Sequence, residues 1–257
     1  MNIGFFSGAS GLMAYQAEMD TVAHNMANVS TVGFKTVRSQ FEDLIYTKMA
    51  LHDEENIRLT GHGVKADRRQ LLMDQGNLNQ TNRELDFTIV GDGFFAIERD
   101  GQTQYTRNGN FGISVENDAG YLVTWDGAYV LDGAGKRINL PLETVKDQAT
   151  GEATGTTQNY DLKGVKDRLG IYRFPNQLGL EPTQGSSFLA TAESGAAYST
   201  QAAGVKDYDL LSNTLEQSAV NVSDEMTNII KAQRGYQFSA RLVQTADELE
   251  EILNNLR

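Results

Sequence analysis

Between Leu12 and Val29, large or apolar residues recur at Leu12, Tyr15, Met19, Val22, Met26 and Val29. This 3,4,3,4,3 spacing marks one narrow seam of an α-helix. Asn28, Ser30, Thr31 and Gly33 then supply cap and turn residues, and Gly33 can take the positive φ that ends a helix, so the helix is expected to stop near Val29. The other end of the chain mirrors this. Val222, Met226, Ile229, Gln233, Tyr236, Ala240 and Val243 alternate at 4,3 spacing, and Ala246, Leu249, Leu253 and Leu256 continue the stripe after a one-residue shift. A helix over residues 223–254 follows, with Asp224 and Glu225 in its first turn suiting the positive end of the helix dipole.

The middle has a different texture. Short strand-like runs at 87–90, 94–98, 121–125 and 129–131 are punctuated by Asp92-Gly93, Asp100-Gly101, Asn108-Gly109, Asp126-Gly127 and Asp132-Gly133. Such pairs are the strongest local signals of hairpins, and the segment reads as antiparallel β. Residues 142–165 are polar and rich in Gly and Thr, and read as a loop, insertion or edge hairpin. Further strands are expected at 168–174 and 187–192. The fold class is therefore α+β, with N- and C-terminal helices paired as a coiled coil and a mainly antiparallel β body. The expected parts are a first helix in 1–35, an extended linker in 36–80, a central β domain in 81–206 and a second helix in 207–257.

A helix with so narrow a seam gains most of its stability by burying it against something. An ordinary helix pair within the chain and a pair that also packs on neighbouring subunits both satisfy that need. Polar Gln16 and Gln233, with small Ala23, Ala27 and Ala240 nearby, suit close, register-fixing helix contacts.

Composition narrows the function. Hydrophobic residues at 40% and charged residues at 22% of 257 are ordinary globular usage. A net charge of −12 opposes nucleic acid and anionic membranes as partners. With no cysteine there are no disulfides, thiolate metal sites or cysteine nucleophiles. The opening MNIGFFSGASGLMAY lacks the basic region and apolar core of a cleaved signal peptide, so the chain is expected to stay inside or to leave by a route without one.

Candidate chemistry falls away on inspection. Gly91-Asp92-Gly93-Phe94-Phe95-Ala96 imitates a dinucleotide fingerprint, but that motif must open a helix, and here the chain continues as strand. Gly133-Ala134-Gly135-Lys136-Arg137 lacks the first glycine of a phosphate loop and reads as a turn. His24, His52 and His62 share no metal-ligand spacing, and Asp53, Glu54 and Glu55 form a solvated run. No catalytic residue, metal or cofactor is expected.

Longer residue strings are more specific. Ala9-Ser10-Gly11-Leu12, Met19-Asp20 and Asn25-Met26-Ala27-Asn28-Val29-Ser30-Thr31-Val32-Gly33-Phe34-Lys35 resemble the N-terminal signature of the flagellar rod and hook protein family. Ala232-Gln233-Arg234-Gly235-Tyr236, with Thr245, Asp247 and the leucines to Leu256, resembles its C-terminal signature. Gln75-Gly76-Asn77-Leu78-Asn79-Gln80-Thr81, Leu85-Asp86 and Gly91-Asp92-Gly93-Phe94-Phe95 resemble the central domain of its longer members. The string from Phe41 to Tyr46 and the chain length favour the distal rod type. His24, Gly235 and Glu250-Glu251 depart from the family's commoner Asn, Ala and Met-Leu.

The resemblance implies terminal helices forming an inner coiled-coil tube with the β body outside it, in a subunit that catalyses nothing. It implies a helical homo-oligomer with adjacent rod and hook proteins, ring proteins around the rod and the flagellar export apparatus as partners, and no nucleic acid or small-molecule substrate. The implied location is the basal body outside the cytoplasmic membrane, reached without a cleaved signal. The seam residues are the expected subunit interface. Asn25, Asn28, Thr31, Gly33, Phe34, Lys35 and Phe41 are the expected motif and hinge, with Phe34 and Phe41 as anchors. Two alternatives stand beside this: a hook or proximal rod protein, and a cell-wall glycan-binding β module with Trp125, Tyr121 and Tyr129 as a sugar platform.

Overall fold

The computed structural model describes residues 3–50, 57–116, 119–146, 153–160, 162, 164–200 and 208–256. Helix α1 spans Ile3–Ala27, α2 is a single turn at Val165–Arg168, and α3 runs over Val222–Asn255. The chain divides into two compact units, one of Met1–Val29, Thr36–Leu72 and Val220–Arg257, the other of Ser30–Lys35 and Met73–Ala219.

In the first unit α1 and α3 lie side by side with four strands, β1 (Val37–Asp43), β2 (Tyr46–Ala50), β3 (Ile57–Gly61) and β4 (Val64–Leu71). Residues 36–80, expected as an extended linker, are thus largely paired: β1 with β4 from Val37↔Leu71 to Asp43↔Val64, and β2 with β3, both antiparallel. Helix α3 begins one residue before its expected start. Asn221 caps it, its side chain accepting from Ser223 N. Helix α1 ends at Ala27, two residues short of Val29, where Asn28 and Val29 bond back to Asn25 and Met26 as turns.

The second unit is antiparallel β. Its strands are β5 (Leu78–Gln80), β6 (Phe87–Val90), β7 (Phe94–Arg99), β8 (Gln102–Thr106), β9 (Phe111–Glu116), β10 (Ala119–Thr124), β11 (Tyr129–Val130), β12 (Asn139–Leu140), β13 (Leu142–Lys146), β14 (Ala153–Tyr160), β15 (Ile171–Arg173), β16 (Glu181–Thr183), β17 (Ser187–Leu189), β18 (Tyr198–Ser199), β19 (Asp209–Ser212) and β20 (Thr214–Glu216). A 10-stranded sheet has the backbone order β12-β10-β11-β7-β8-β17-β16, with β9 on β10 and β15 joining β7 to β18. The polar stretch 142–165 contributes the paired β13 and β14, and its residues 147–152 lie outside the described set.

Strand β7 is the centre of this unit. Adjacent side chains of a strand point to opposite faces, and here both faces are covered. Phe95 and Ile97 join Phe87, Ile89, Phe111, Leu122 and Val130 in the main core, and Phe94 meets Phe174 and Phe188 edge-on. The turn after β7 behaves as its sequence demands: Asp100 and Gly101 both take positive φ, 50° and 75°, joining Arg99 to Gln102 through a two-residue hairpin. The region 168–174 differs from expectation, since residues 165–168 wind into α2 and only 171–173 pair as strand. Between them Gly170 is pressed against the backbone of Asp132 and donates its N–H to Leu131 O at 3.3 Å.

Candidate assembly interface

Helices α1 and α3 run antiparallel and touch through small residues. Gly8 sits beside Val243 and Ser239, Gly11 beside Ser239, and Gly235 against the ring of Tyr15. A Cβ on Gly11 would lie 2.7 Å from Ser239 Oγ, so the two backbones approach too closely there for larger side chains. The buried positions are Gly8, Gly11, Ala14, Thr21, Val22 and Asn25 on α1, and Glu225, Ala232, Ser239 and Ala246 on α3.

The α3 positions are spaced by seven and stand one residue before the expected 226/233/240 series, about 100° around the helix. On α1 the buried 11/14/21/25 series likewise precedes the expected 12/15/22/26. Of the apolar seam on α1, Val22 is buried and Leu12, Tyr15, Met19, Met26 and Val29 are half-buried. On α3, Ile229, Ala240 and Val243 are half-buried, while Val222, Met226, Gln233, Tyr236, Leu249, Leu253 and Leu256 are exposed. Within one chain the helices therefore pair by their small residues, and the apolar stripes flank that contact. The small stripe was visible in the sequence as Gly8, Gly11 and Ala14, but a search for apolar residues passes over glycine and serine.

At the end of the pair, Asn25 is a junction. Its Nδ2 donates to Glu225 Oε1 at 2.9 Å and to Val37 O at 2.7 Å, and its Oδ1 accepts from Val37 N at 3.0 Å. The side chain thus holds the first residue of β1 as a neighbouring strand would. Phe41, exposed on β1, lies 5.9 Å from the Tyr15 ring. Asn28 Nδ2 donates to His24 O.

The rest of the motif belongs to the β unit. Thr31 and Phe34 are half-buried. Gly33, at φ 68°, donates its N–H to Glu216 O at 2.8 Å, and a Cβ there would come within 2.8 Å of the Arg107 backbone. Phe34 O accepts from Ala219 N at 3.1 Å. Lys35 is buried. Its Nζ donates to Glu216 Oε1 and to Asp74 O, both at 2.7 Å, and the same carboxylate oxygen accepts from Gly76 N. Arg107, also buried, stands 3.5 Å from Glu216 Oε2, donates to Ile89 O and Gly91 O, and covers the Phe94 ring. Burial pulls the Lys35 pKa down, against the opposing pull of Glu216, and burial likewise lowers that of Arg107. Neither Glu216 nor Arg107 stood out in the sequence, because each is ordinary where it sits and the partners are far apart along the chain.

The aromatic trio does not make a common platform. Tyr121 and Tyr129 are half-buried and edge-to-face at 5.8 Å, and the Arg137 guanidinium lies 4.0 Å over the Tyr129 ring while pairing with both oxygens of Glu98. Trp125 is 88% exposed at the tip after β10. Among the described residues no three His, Cys, Asp or Glu side chains gather as metal ligands. His52 lies outside the described residues. No helix among the described residues is long and apolar enough to cross a membrane.

Three family models match the chain: "Flagella basal body rod protein" at residues 7–35, "Flagellar hook protein FlgE/F/G D1 domain" at 88–156 and "Flagellar basal body rod FlgEFG protein C-terminal" at 211–256. The first covers most of α1 and its motif, and the last covers β20 and all of α3. Over nearly its full length the chain is 35% identical to the flagellar basal-body rod protein FlgG of Borreliella burgdorferi, covering 98% of this chain and 97% of that one. The chain belongs to the FlgG family of flagellar basal-body rod proteins. The FlgG proteins of Bacillus subtilis and Caulobacter vibrioides are 32% and 34% identical to it, each with 98% of both chains covered. As a FlgG family member it is a structural rod subunit of the distal type. The helix pair and the Lys35–Glu216 cluster are thus parts of a building block.

Proposed function

We propose that the chain works without chemistry of its own, as an axial subunit that packs with copies of itself and with adjacent rod and hook proteins into a torque-transmitting tube. In this reading α1 and α3 act as a coiled-coil element, ring proteins surround the β units, and the subunit passes through the flagellar export apparatus without a cleaved signal to a place outside the cytoplasmic membrane. One observation carries it. The helices pair through Gly8, Gly11, Ser239 and Ala246, and leave Met226, Tyr236, Leu249, Leu253 and Leu256 exposed. Apolar stripes of this length on a water-soluble helix pair are what a subunit interface supplies.

The test replaces a seam residue that folding does not need. Met226 is exposed, so Met226→Asp is expected to leave the circular dichroism and melting of the purified chain unchanged while abolishing rods in cells that carry only the variant. Normal basal bodies and full motility with Met226→Asp would overturn the reading.

A further inference from the structure

We infer that Asp100-Gly101, at the turn between β7 and β8, is a covalent self-modification site, where the Asp100 carboxyl closes on the Gly101 nitrogen and reopens as an isoaspartyl link. The inference is independent of the rod reading.

The step needs no partner other than water. The Gly101 amide nitrogen attacks Cγ of the protonated Asp100 carboxyl, a C–N bond forms and one water leaves, giving a five-membered succinimide. Water then adds to either ring carbonyl. Breaking the new C–N bond restores aspartate. Breaking the original peptide bond leaves the main chain running through the Asp100 side chain, one methylene longer. An asparagine follows the same course with ammonia as the leaving group. A following glycine favours closure because no side chain obstructs the nitrogen.

Aspartate or asparagine stands before glycine at 92–93, 100–101, 108–109, 126–127 and 132–133. By chemistry alone Asn108-Gly109 reacts first, since an amide closes more readily at neutral pH than an ionised carboxylate. The fold reverses that order. Asn108 Oδ1 accepts from Asn110 N and Asn108 N donates to Thr106 Oγ1, both at 3.0 Å, while a Cβ on Gly33 or on Gly109 would run into backbone at Asn108 or Phe87. Asp126 accepts from Thr124 Oγ1 and pairs with Arg99, and the Gly127 nitrogen donates to Thr124 O at 3.0 Å. Asp132 Oδ1 accepts from Ala134 N and Lys136 N. Gly93 is buried against Ile171, and the carbonyl of Asp92 accepts from Arg173 Nε. Ring closure at these places must first break bonds or core contacts.

Asp100 is held by none of these. It is exposed, and its side chain forms no hydrogen bond or ion pair among the described residues. A Cβ on Gly101 would meet nothing within 4 Å. The turn can open without disturbing the core, and the cost of local opening sets the rate. The added methylene would fall beside Arg99, which joins this turn to Asp126 and to Gln184 O.

Arg99 and Arg107 precede the two pairs, so Asp100→Asn allows a comparison of matched sequences within one chain. Asparagine also suits the positive φ of this turn. In the folded, purified variant, deamidation read by peptide mass mapping is expected about tenfold or more faster at position 100 than at Asn108. In urea the two rates are expected to agree within about threefold. In the wild-type chain, incubated in water labelled with heavy oxygen, label and isoaspartate are expected at Asp100 ahead of Asp92, Asp126 and Asp132, and faster at mildly acidic than at neutral pH. Equal rates at the two positions of the folded variant would overturn the proposal. So would a difference that persists in urea, which would place its cause in the local sequence, or isoaspartate arising first at another Asp-Gly pair.

Discussion

Lys35 and Glu216 meet at 2.7 Å with both side chains 1% exposed, across 181 residues of chain. The carboxylate also accepts from Gly76 N and faces Arg107, so a single side chain gathers the exit of the N-terminal motif, the start of the central block and β8–β9 into one unit. Removing one partner of a buried pair costs far more than the pair contributes, because the other charge remains without water. Glu216→Ala is expected to destabilise the chain by about 3 to 5 kcal/mol, read as a lower urea midpoint. A loss under about 1 kcal/mol would show that water or rearrangement replaces the carboxylate.

The same cluster gives a pH signature. Burial depresses the Lys35 pKa below 10.5, so between its folded value and 10.5 the unfolded chain binds more protons than the folded one. Stability from this group is therefore highest above 10.5 and is lost as pH falls through that window. The stability of the wild-type chain minus that of Lys35→Met is expected to grow as pH rises from neutral toward 10.5. A flat difference across denaturation curves in that range would contradict the assignment.

Asn25 makes three hydrogen bonds from a side chain 1% exposed. Asn25→Ala leaves Glu225 and both polar groups of Val37 without those partners, and is expected to cost about 2 to 4 kcal/mol. Thermal melting of the purified variant checks this.

The Asn108-Gly109 pair expected as a hairpin joins strands that do not pair with each other; a Cβ on Gly109 would run into the Phe87 carbonyl, while the Gly109 carbonyl accepts from Phe87 N at 3.0 Å. A methyl group there has no room and faces backbone that cannot yield. Gly109→Ala is expected to cost about 4 kcal/mol or more, seen as insoluble protein or a collapsed melting temperature. Gly101→Ala makes a useful control: its Cβ would meet nothing, and its φ of 75° alone predicts a milder loss.

Local patterns carried much of the fold. The 4,3 spacing of α3 placed its ends within a residue, and Asp100-Gly101 located a hairpin, because both signals are written in adjacent residues. The faces of the helices were harder to read. Gly11 and Ser239 pair because they are small, and their value exists only once the partner helix is present. Of the residues expected to form the motif, Asn25 bonds within the helix pair and Lys35 within the β unit, and their partners Glu225 and Glu216 are unremarkable carboxylates in the sequence. Trp125 looked like a strand residue and stands in solvent, since β10 ends one residue earlier.

The hydrogen bond from Asn25 to Glu225 has a mechanical consequence. Sliding α3 along α1 by one turn, about 5.4 Å, would strand the buried carboxylate and drive larger side chains into the gaps at Gly8 and Gly11. Greasy helix faces tolerate such slip, because one methyl group serves as well as the next. This pair instead behaves like a keyed shaft: it resists axial shear at one fixed setting, and a load that exceeded it would have to break the key before the helices moved.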